Sequence, residues 1–108
     1  MQAEENDGYV VLKVQEDLGA DSNLSELRDA VSRYAARGIK KIALHFTERT
    51  NFFSSTLSVL VQCLGTLKEQ DGELSIIAPT ESIMDTLRLT RLDSLIKTYE
   101  SEEEIAKQ

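Results

Sequence analysis

The sequence predicts one α/β domain, with a mixed, largely parallel sheet of four or five strands packed by about four helices. Apolar, β-branched runs alternate along the chain with helical patterns of roughly 10 to 16 residues, an order typical of parallel strands joined by crossover helices. The chain has 108 residues and shows no repeat or interdomain linker. We therefore expect a single domain over residues 1–108, with a short acidic N-terminal segment at residues 1–8.

A strand and a helix are predicted in the first third of the chain. The turn residues Asn6-Asp7-Gly8 predict that any strand before them is a brief edge strand. Tyr9–Val14 is dense in β-branched residues, which predicts the first clear strand. Asn23, with Glu26 three residues later, resembles a capping box and predicts a helix from Asn23 to about Arg37.

The middle third is predicted to hold a central strand and a second helix. Gly38 can adopt a positive φ at little cost, so it predicts the end of the first helix. Lys41–Phe46 is apolar on both faces, which is typical of a central strand. The second helix is predicted from about Ser54 to about Gln70. Its apolar positions recur at helical spacing and are Leu57, Leu60, Val61, Leu64 and Leu67.

The last third is predicted to hold two strands and two helices. The apolar run at residues 74–78 predicts a strand, and Pro79 predicts its end. Residues 95–99 predict a last strand, and residues 102–107 predict a short terminal helix with a solvated acidic start. The third helix precedes the last strand and carries Ile83, Met84, Leu87 and Leu89.

Charge and composition exclude several classes of protein. Lys and Arg number 12 and Asp and Glu number 19, so the net charge is −7 with His neutral. An acidic chain without a basic stripe repels a phosphate backbone, so we expect no nucleic-acid partner. One cysteine excludes an intrachain disulfide and favours a reducing compartment. The sequence contains no leader and no apolar run of bilayer length, so we expect a cytoplasmic protein without membrane insertion.

Few residues of this chain could carry out catalysis. His45 is the only histidine and lies within a predicted strand, which favours a structural or partly exposed side chain over a catalytic base. Cys63 lies in the middle of the second helix without a second cysteine, which favours a thiol in the core. The sequence offers no Gly-rich phosphate loop and too few Cys and His for a metal site. We therefore expect no enzyme, no catalytic residue, no metal and no cofactor.

Two adjacent serines mark the junction between an irregular segment and the second helix. Ser54 or Ser55 could cap this helix, because a hydroxyl there accepts hydrogen bonds from unpaired backbone N–H groups. The same position also suits a phosphorylated hydroxyl, since a helix N-terminus favours a phosphate dianion. The residues alone leave both interpretations open.

The serine pair and a later leucine-rich run occur in a recognisable order. The two runs are Phe53-Ser54-Ser55-Thr56-Leu57-Ser58 and Leu87-Arg88-Leu89-Thr90-Arg91-Leu92-Asp93-Ser94-Leu95-Ile96. They resemble the Asp-Ser-Ser-Gly-Leu-Gly and Leu-x-Leu-Thr-Gly-Leu-Asp-x-Leu-Phe motifs of the STAS domain in bacterial anti-sigma factor antagonists. The likeness spans residues 9–106, and the acidic run at 100–104 resembles the usual ending of that family.

The resemblance implies a partner switch. In that family the first serine of the pair is phosphorylated by an anti-sigma factor that is also a GHKL-type, ATP-dependent serine kinase. The unmodified antagonist binds the anti-sigma factor, phosphorylation ends the binding, and a PP2C-type phosphatase restores it. The phosphorylated serine corresponds to Ser54 here, and Ser55 is the alternative acceptor.

The resemblance also leaves a second function open. Phe53 replaces the Asp of the family's motif, and Thr56 and Ser58 replace its two Gly residues. Divergent STAS domains also serve as adaptors without phosphate turnover, in stressosome-type scaffolds and in lipid-transport complexes. The alternative function is therefore a non-phosphorylated adaptor or scaffold subunit of a larger complex.

The expected partner surface comprises the loop from Glu48 to Phe53 and the exposed face at the start of the second helix. Phe52 and Phe53 are adjacent, so in an extended chain they point to opposite sides, and one of them is a candidate anchor for a partner. A bend that buries both side chains is the alternative. We expect a monomer or a weak dimer. The predicted partner-binding residues are Phe52, Phe53, Ser54, Ser55, Thr56 and Ser58.

Overall fold

Strands and helices alternate through most of the chain. The computed structural model describes residues 2–6, 8–14, 21–46, 54–77 and 79–106. None of the helices in these ranges is both long enough and apolar enough to cross a membrane. In chain order the elements are β1 (Gln2–Asn6), β2 (Tyr9–Val14), α1 (Asp21–Ala36), β3 (Lys41–Phe46), α2 (Ser54–Lys68), β4 (Glu73–Ile77), α3 (Glu81–Leu89), a 3-10 helix (Leu92–Ser94), β5 (Lys97–Tyr99) and α4 (Glu102–Ala106).

The strands form one sheet in the order β1-β2-β3-β4-β5. β1 pairs antiparallel with β2, and all other neighbouring strands are parallel. Parallel neighbours require crossover connections, and α1, α2 and α3 supply them. The predicted fold class, a mixed and largely parallel sheet packed by about four helices, is thereby confirmed. All residues of β1 are exposed, which agrees with the expected brief edge strand.

The two faces of the sheet contribute to different clusters, because successive residues of a strand point to opposite sides. In β3, Ile42 and Leu44 join the main core with apolar residues of α1, α2 and α3. Ala43 points the other way, into a smaller cluster that contains Ile77 of β4 and Ile105 of α4. β3 is therefore buried on both faces, as predicted for a central strand.

Two helix boundaries follow their local signals and a third does not. α2 begins at Ser54 as predicted, and Gly38 adopts a φ of 87° shortly after α1 ends. α1 begins at Asp21, so Asn23 lies inside the helix and the predicted start at Asn23 is wrong. Residues 21–23 are all short polar types that suit a helix start, so the sequence pattern does not single out one of them.

The last strand is shorter than predicted. β5 comprises only Lys97–Tyr99, whereas Leu95 and Ile96 lie in the turn after the 3-10 helix. The N–H groups of Leu95 and Ile96 donate to the carbonyl oxygen of Leu92, at 2.9 and 2.8 Å. The predicted strand over residues 95–99 is therefore wrong at its first two residues, because their backbone donors are used within the turn.

Arg91 adopts an unusual backbone conformation at the end of α3. It follows Thr90, the C-cap of the helix, and has φ 62° and ψ 16°, in the left-handed region. The residue after a helix C-cap is most often Gly, because a Cβ is crowded in this conformation. In the motif that residues 87–96 resemble, Gly stands at this position.

We expect Arg91→Gly to raise the free energy of unfolding by up to about 1 kcal/mol. Glycine relieves a left-handed strain of roughly 1–2 kcal/mol, and its greater entropy in the unfolded chain offsets part of that gain. Urea denaturation followed by circular dichroism measures the change. Arg88→Gly is the matched control, because Arg88 lies in the helical backbone of α3, where glycine lowers stability by about 1 kcal/mol. A loss of stability in Arg91→Gly contradicts the prediction.

Candidate functional site

The start of α2 carries the serine pair. Ser54 and Ser55 are the first two residues of this 15-residue helix. Its first turn contains no acidic residue, and Lys68 lies in its last turn. Unpaired N–H groups and the helix dipole favour an anion at such a start, by about 0.3–1 kcal/mol for an exposed group. A phosphate on either serine would therefore meet no like charge within that turn.

The predicted partner-binding residues have different surroundings. Ser58 is exposed and lies four residues after Ser54, on the same side of α2. Thr56 is fully buried, with 0% of its surface exposed, so it presents nothing for a partner to contact and its prediction as a contact residue is corrected. The physical reason is that position 56 lies on the side of α2 that packs inward, away from positions 54 and 58. The predicted partner loop from Glu48 to Phe53, with Phe52 and Phe53, lies outside the described residues.

A cavity of about 430 Å³ lies beside the exposed side of α2. One wall comes from α2 and the other from residues that follow α3, so the two walls are distant in sequence. The cavity shares Ser58 with the predicted partner surface. We name it the α2 groove; its lining residues are Leu57, Ser58, Val61, Gln62, Thr90 and Leu92.

Val61 lines the α2 groove and is not a core residue, although it belongs to the apolar positions that recur at helical spacing in α2. It is 52% exposed, whereas the adjacent Leu60 is fully buried. The apolar stripe of α2 is wider than the core can cover, so one edge of it remains at the surface. This extra width is the sequence signal that could have indicated the groove. Leu89, the last residue of α3, is also exposed, at 85%.

The two residues considered for catalysis lie elsewhere. Cys63 is buried in the main core, as predicted, and desolvation by burial raises its pKa to about 11. Its thiol therefore stays protonated and unreactive at neutral pH. His45 is half-buried in β3, in register with Lys13 and Ile77, on the sheet face opposite to the main core. This agrees with the expectation of a structural or partly exposed histidine.

A second cavity, of about 570 Å³, lies at the ends of β4 and β5. Tyr99, Glu100 and Glu104 are among its lining residues, and burial raises the pKa of Tyr99 above its ordinary value. The Glu104 carboxylate accepts a hydrogen bond of 2.9 Å from the backbone N–H of Glu100. The acidic run therefore stabilises the start of α4, which is the helix start predicted from the sequence.

Comparisons with known proteins agree with this architecture. A family model of the STAS domain matches residues 1–105. A Thermotoga maritima protein provisionally named as an anti-sigma factor antagonist is 24% identical over 95 residues, which cover 88% of this chain and 84% of the relative. A crystal structure of a T. maritima protein with the same provisional name has a TM-score of 0.85 at 24% identity, covering 98% of this chain and 91% of the other.

Two further solved structures are those of the anti-sigma factor antagonist SpoIIAA from Bacillus. The unphosphorylated form has a TM-score of 0.80 at 19% identity, covering 98% of this chain and 93% of SpoIIAA. The phosphorylated form has a TM-score of 0.77 at 19% identity, covering 98% and 96%. At these identities the structural likeness shows a shared fold.

Proposed function

The chain belongs to the STAS domain family, and we propose that it is an anti-sigma factor antagonist controlled by phosphorylation of Ser54. In this proposal the unmodified protein binds an anti-sigma factor, which is also a GHKL-type serine kinase and transfers phosphate to Ser54. A PP2C-type phosphatase restores the unmodified form. The protein itself is a cytoplasmic regulator without enzymatic activity or cofactor, and its partner surface comprises Ser58 and the α2 groove next to the serine pair.

One observation carries this proposal: a serine pair begins α2. The resemblance of residues 53–58 to the family's motif makes Ser54 the counterpart of the phosphorylated serine. The absence of acidic residues from the first turn of α2 makes this position suitable for a phosphate. The relatives support the same function. The T. maritima relative is provisionally named an anti-sigma factor antagonist, and SpoIIAA, an anti-sigma factor antagonist, exists in phosphorylated and unphosphorylated forms.

The physical effect of a phosphate on Ser54 falls on binding more than on folding. It adds a charge of about −1.5 to −2 at the end of a helix that favours anions, so the fold tolerates it. A partner packed on Ser58 and the α2 groove would have to desolvate this dianion or pair it with a cation. Unpaired burial of such a charge costs several kcal/mol, so phosphorylation ends the interaction.

The proposal is tested by phosphorylation and binding measurements with the purified cognate kinase. We expect ATP and the kinase to add one phosphate to the wild-type protein, seen by intact-mass spectrometry, and none to Ser54→Ala. Ser54→Asp should weaken binding to the kinase at least about tenfold, because it adds a charge at the interface. Ser54→Ala should bind like the unmodified wild type.

Two control variants make the result specific. Ser55→Ala tests the alternative acceptor, and we expect it to be phosphorylated like the wild type. Ser82→Asp adds the same charge to the exposed start of α3 and should leave binding unchanged. If no phosphate is added to either serine and Ser54→Asp binds as tightly as the wild type, the switch is excluded and a non-phosphorylated adaptor function replaces it.

A further inference from the structure

We infer that α4 is a lid, which opens by local unfolding while the rest of the domain stays folded. The lid covers the sheet face opposite to α1, α2 and α3, and its opening uncovers an apolar surface there. In the closed protein the occupant of this surface is α4 itself. The inference does not rest on the proposed function, because α2, which begins with Ser54, packs against the other face of the sheet.

One buried side chain anchors α4 to the sheet. Ile105 is 6% exposed and belongs to the smaller cluster. The other buried members of that cluster are the strand residues Val11, Ala43, Ile77 and Tyr99. Among the α4 side chains that the structure describes, Glu103 is exposed, Glu104 is half-buried, and Ile105 is the only buried one. By contrast, α3 buries both Ile83 and Leu87 in the main core.

The helix itself supplies little stability to the closed lid. α4 has five residues, and helices of this length do not persist in water without tertiary contacts. The N–H of Glu100 donates to the Glu104 carboxylate at 2.9 Å, and the N–H of Glu104 donates to the carbonyl oxygen of Ser101 at 3.2 Å. Both bonds lie within residues 100–104, so they stabilise the helical turn rather than its attachment to the sheet. The attachment depends on the burial of Ile105, which is a small part of the stability of a whole domain.

Opening of the lid changes two parts of the surface. Ile105 and the sheet enclose a small cavity of about 10 Å³, whose lining includes Ala43, Ser75 and Tyr99. A space of that size shows that α4 fits closely on the strands and hides their apolar side chains. Glu104 also lines the cavity of about 570 Å³ at the ends of β4 and β5, so opening removes part of its wall. The open state therefore presents an apolar surface beside a wider cavity.

The test compares the reactivity of two thiols in one variant of the whole chain, Ser75→Cys. Ser75 is 5% exposed and lines the same small cavity as Ile105, so the new thiol reacts when the lid opens. Cys63 is the internal control, because it is buried in the main core and reacts when the whole domain unfolds. We expect iodoacetamide to label the new thiol at least about tenfold faster than Cys63, as measured by peptide mass spectrometry. Low concentrations of urea should accelerate only the labelling of Cys63, because local opening exposes little surface.

Ile105→Asp tests the anchor directly, and Ile83→Asp is the matched control. Aspartate in place of Ile105 should open the lid, so that the thiol of Ser75→Cys is labelled at least about tenfold faster while the urea transition stays cooperative. The same change at Ile83, which is 1% exposed, should abolish the cooperative transition, because it places a charge in the main core.

Two outcomes overturn the inference. If the two thiols of Ser75→Cys are labelled equally fast at every urea concentration, α4 opens only with the whole domain. If Ile105→Asp loses its cooperative transition as Ile83→Asp does, α4 is an integral part of the fold and not a lid.

Discussion

Gly72→Ala lowers the free energy of unfolding by about 2–3 kcal/mol, because the backbone leaves no space for a side chain. A Cβ at this buried position would lie 2.8 Å from the carbonyl oxygen of Lys40 and 2.9 Å from that of Leu67. The Cβ of Leu67 would be 3.2 Å away. The two closest atoms belong to the backbone, so no side-chain rotation can relieve the clash.

The clash also affects hydrogen bonds that connect three elements. The N–H of Gly72 donates to the carbonyl oxygen of Leu67, and the N–H of Glu73 donates to that of Lys40, both at 2.6 Å. These bonds join the end of α2 to the start of β4 and to the residue before β3. An added methyl group forces these groups apart, so the turn that sets the start of β4 loses stability.

Urea denaturation followed by far-UV circular dichroism measures this loss, since the chain has no Trp to serve as a fluorescent probe. Gly65→Ala is the matched control. Gly65 lies inside α2, and a Cβ there meets no atom within 4 Å. Alanine at that position should raise stability by roughly 0.5–1 kcal/mol, because glycine is a poor helix former. Equal effects of the two substitutions would contradict the steric argument.

Leu60→Ala lowers the free energy of unfolding by about 3–4 kcal/mol, whereas Val61→Ala changes it by less than about 0.5 kcal/mol. Leu60 is fully buried in the main core, so its truncation removes apolar contacts and leaves a cavity. Val61 is half exposed in the wall of the α2 groove, so its truncation removes little internal packing. The same denaturation experiment measures both changes.

The pair of variants also separates the fold from the proposed partner site. Val61→Ala should weaken binding to the anti-sigma factor severalfold while the protein remains as stable as the wild type. A large loss of stability in Val61→Ala would instead assign this residue to the core. If Val61→Ala binds the anti-sigma factor as tightly as the wild type does, Val61 is not part of the contact surface.

Local patterns predicted most of the architecture correctly. The density of β-branched residues in β2 and the two-sided apolarity of β3 depend on residues that are neighbours in sequence. Gly38 and Ser54 likewise marked the end of α1 and the start of α2 through their own backbone and capping preferences. The start of α1 was predicted wrongly because several neighbouring residues suit a helix start. The last strand was predicted two residues too long because the backbone N–H groups of residues 95 and 96 form hydrogen bonds within a turn.

The candidate site was only half predictable from the sequence. The serine pair could be placed at a helix start because a local change from irregular to periodic residues marks that start. The burial of Thr56 could not be predicted, since it depends on which side of α2 packs inward. The α2 groove could not be predicted either, because its second wall comes from Thr90 and Leu92.

Periodicity and end signals act over a few neighbouring residues, so they were sufficient to predict the order of strands and helices, the parallel sheet and the position of the serine pair. They could not show that Val61 faces a groove while Leu60 fills the core, or that Arg91 adopts a left-handed backbone conformation after α3. These features depend on how α2 and the turn after α3 meet above the sheet, and packing between distant segments sets that arrangement.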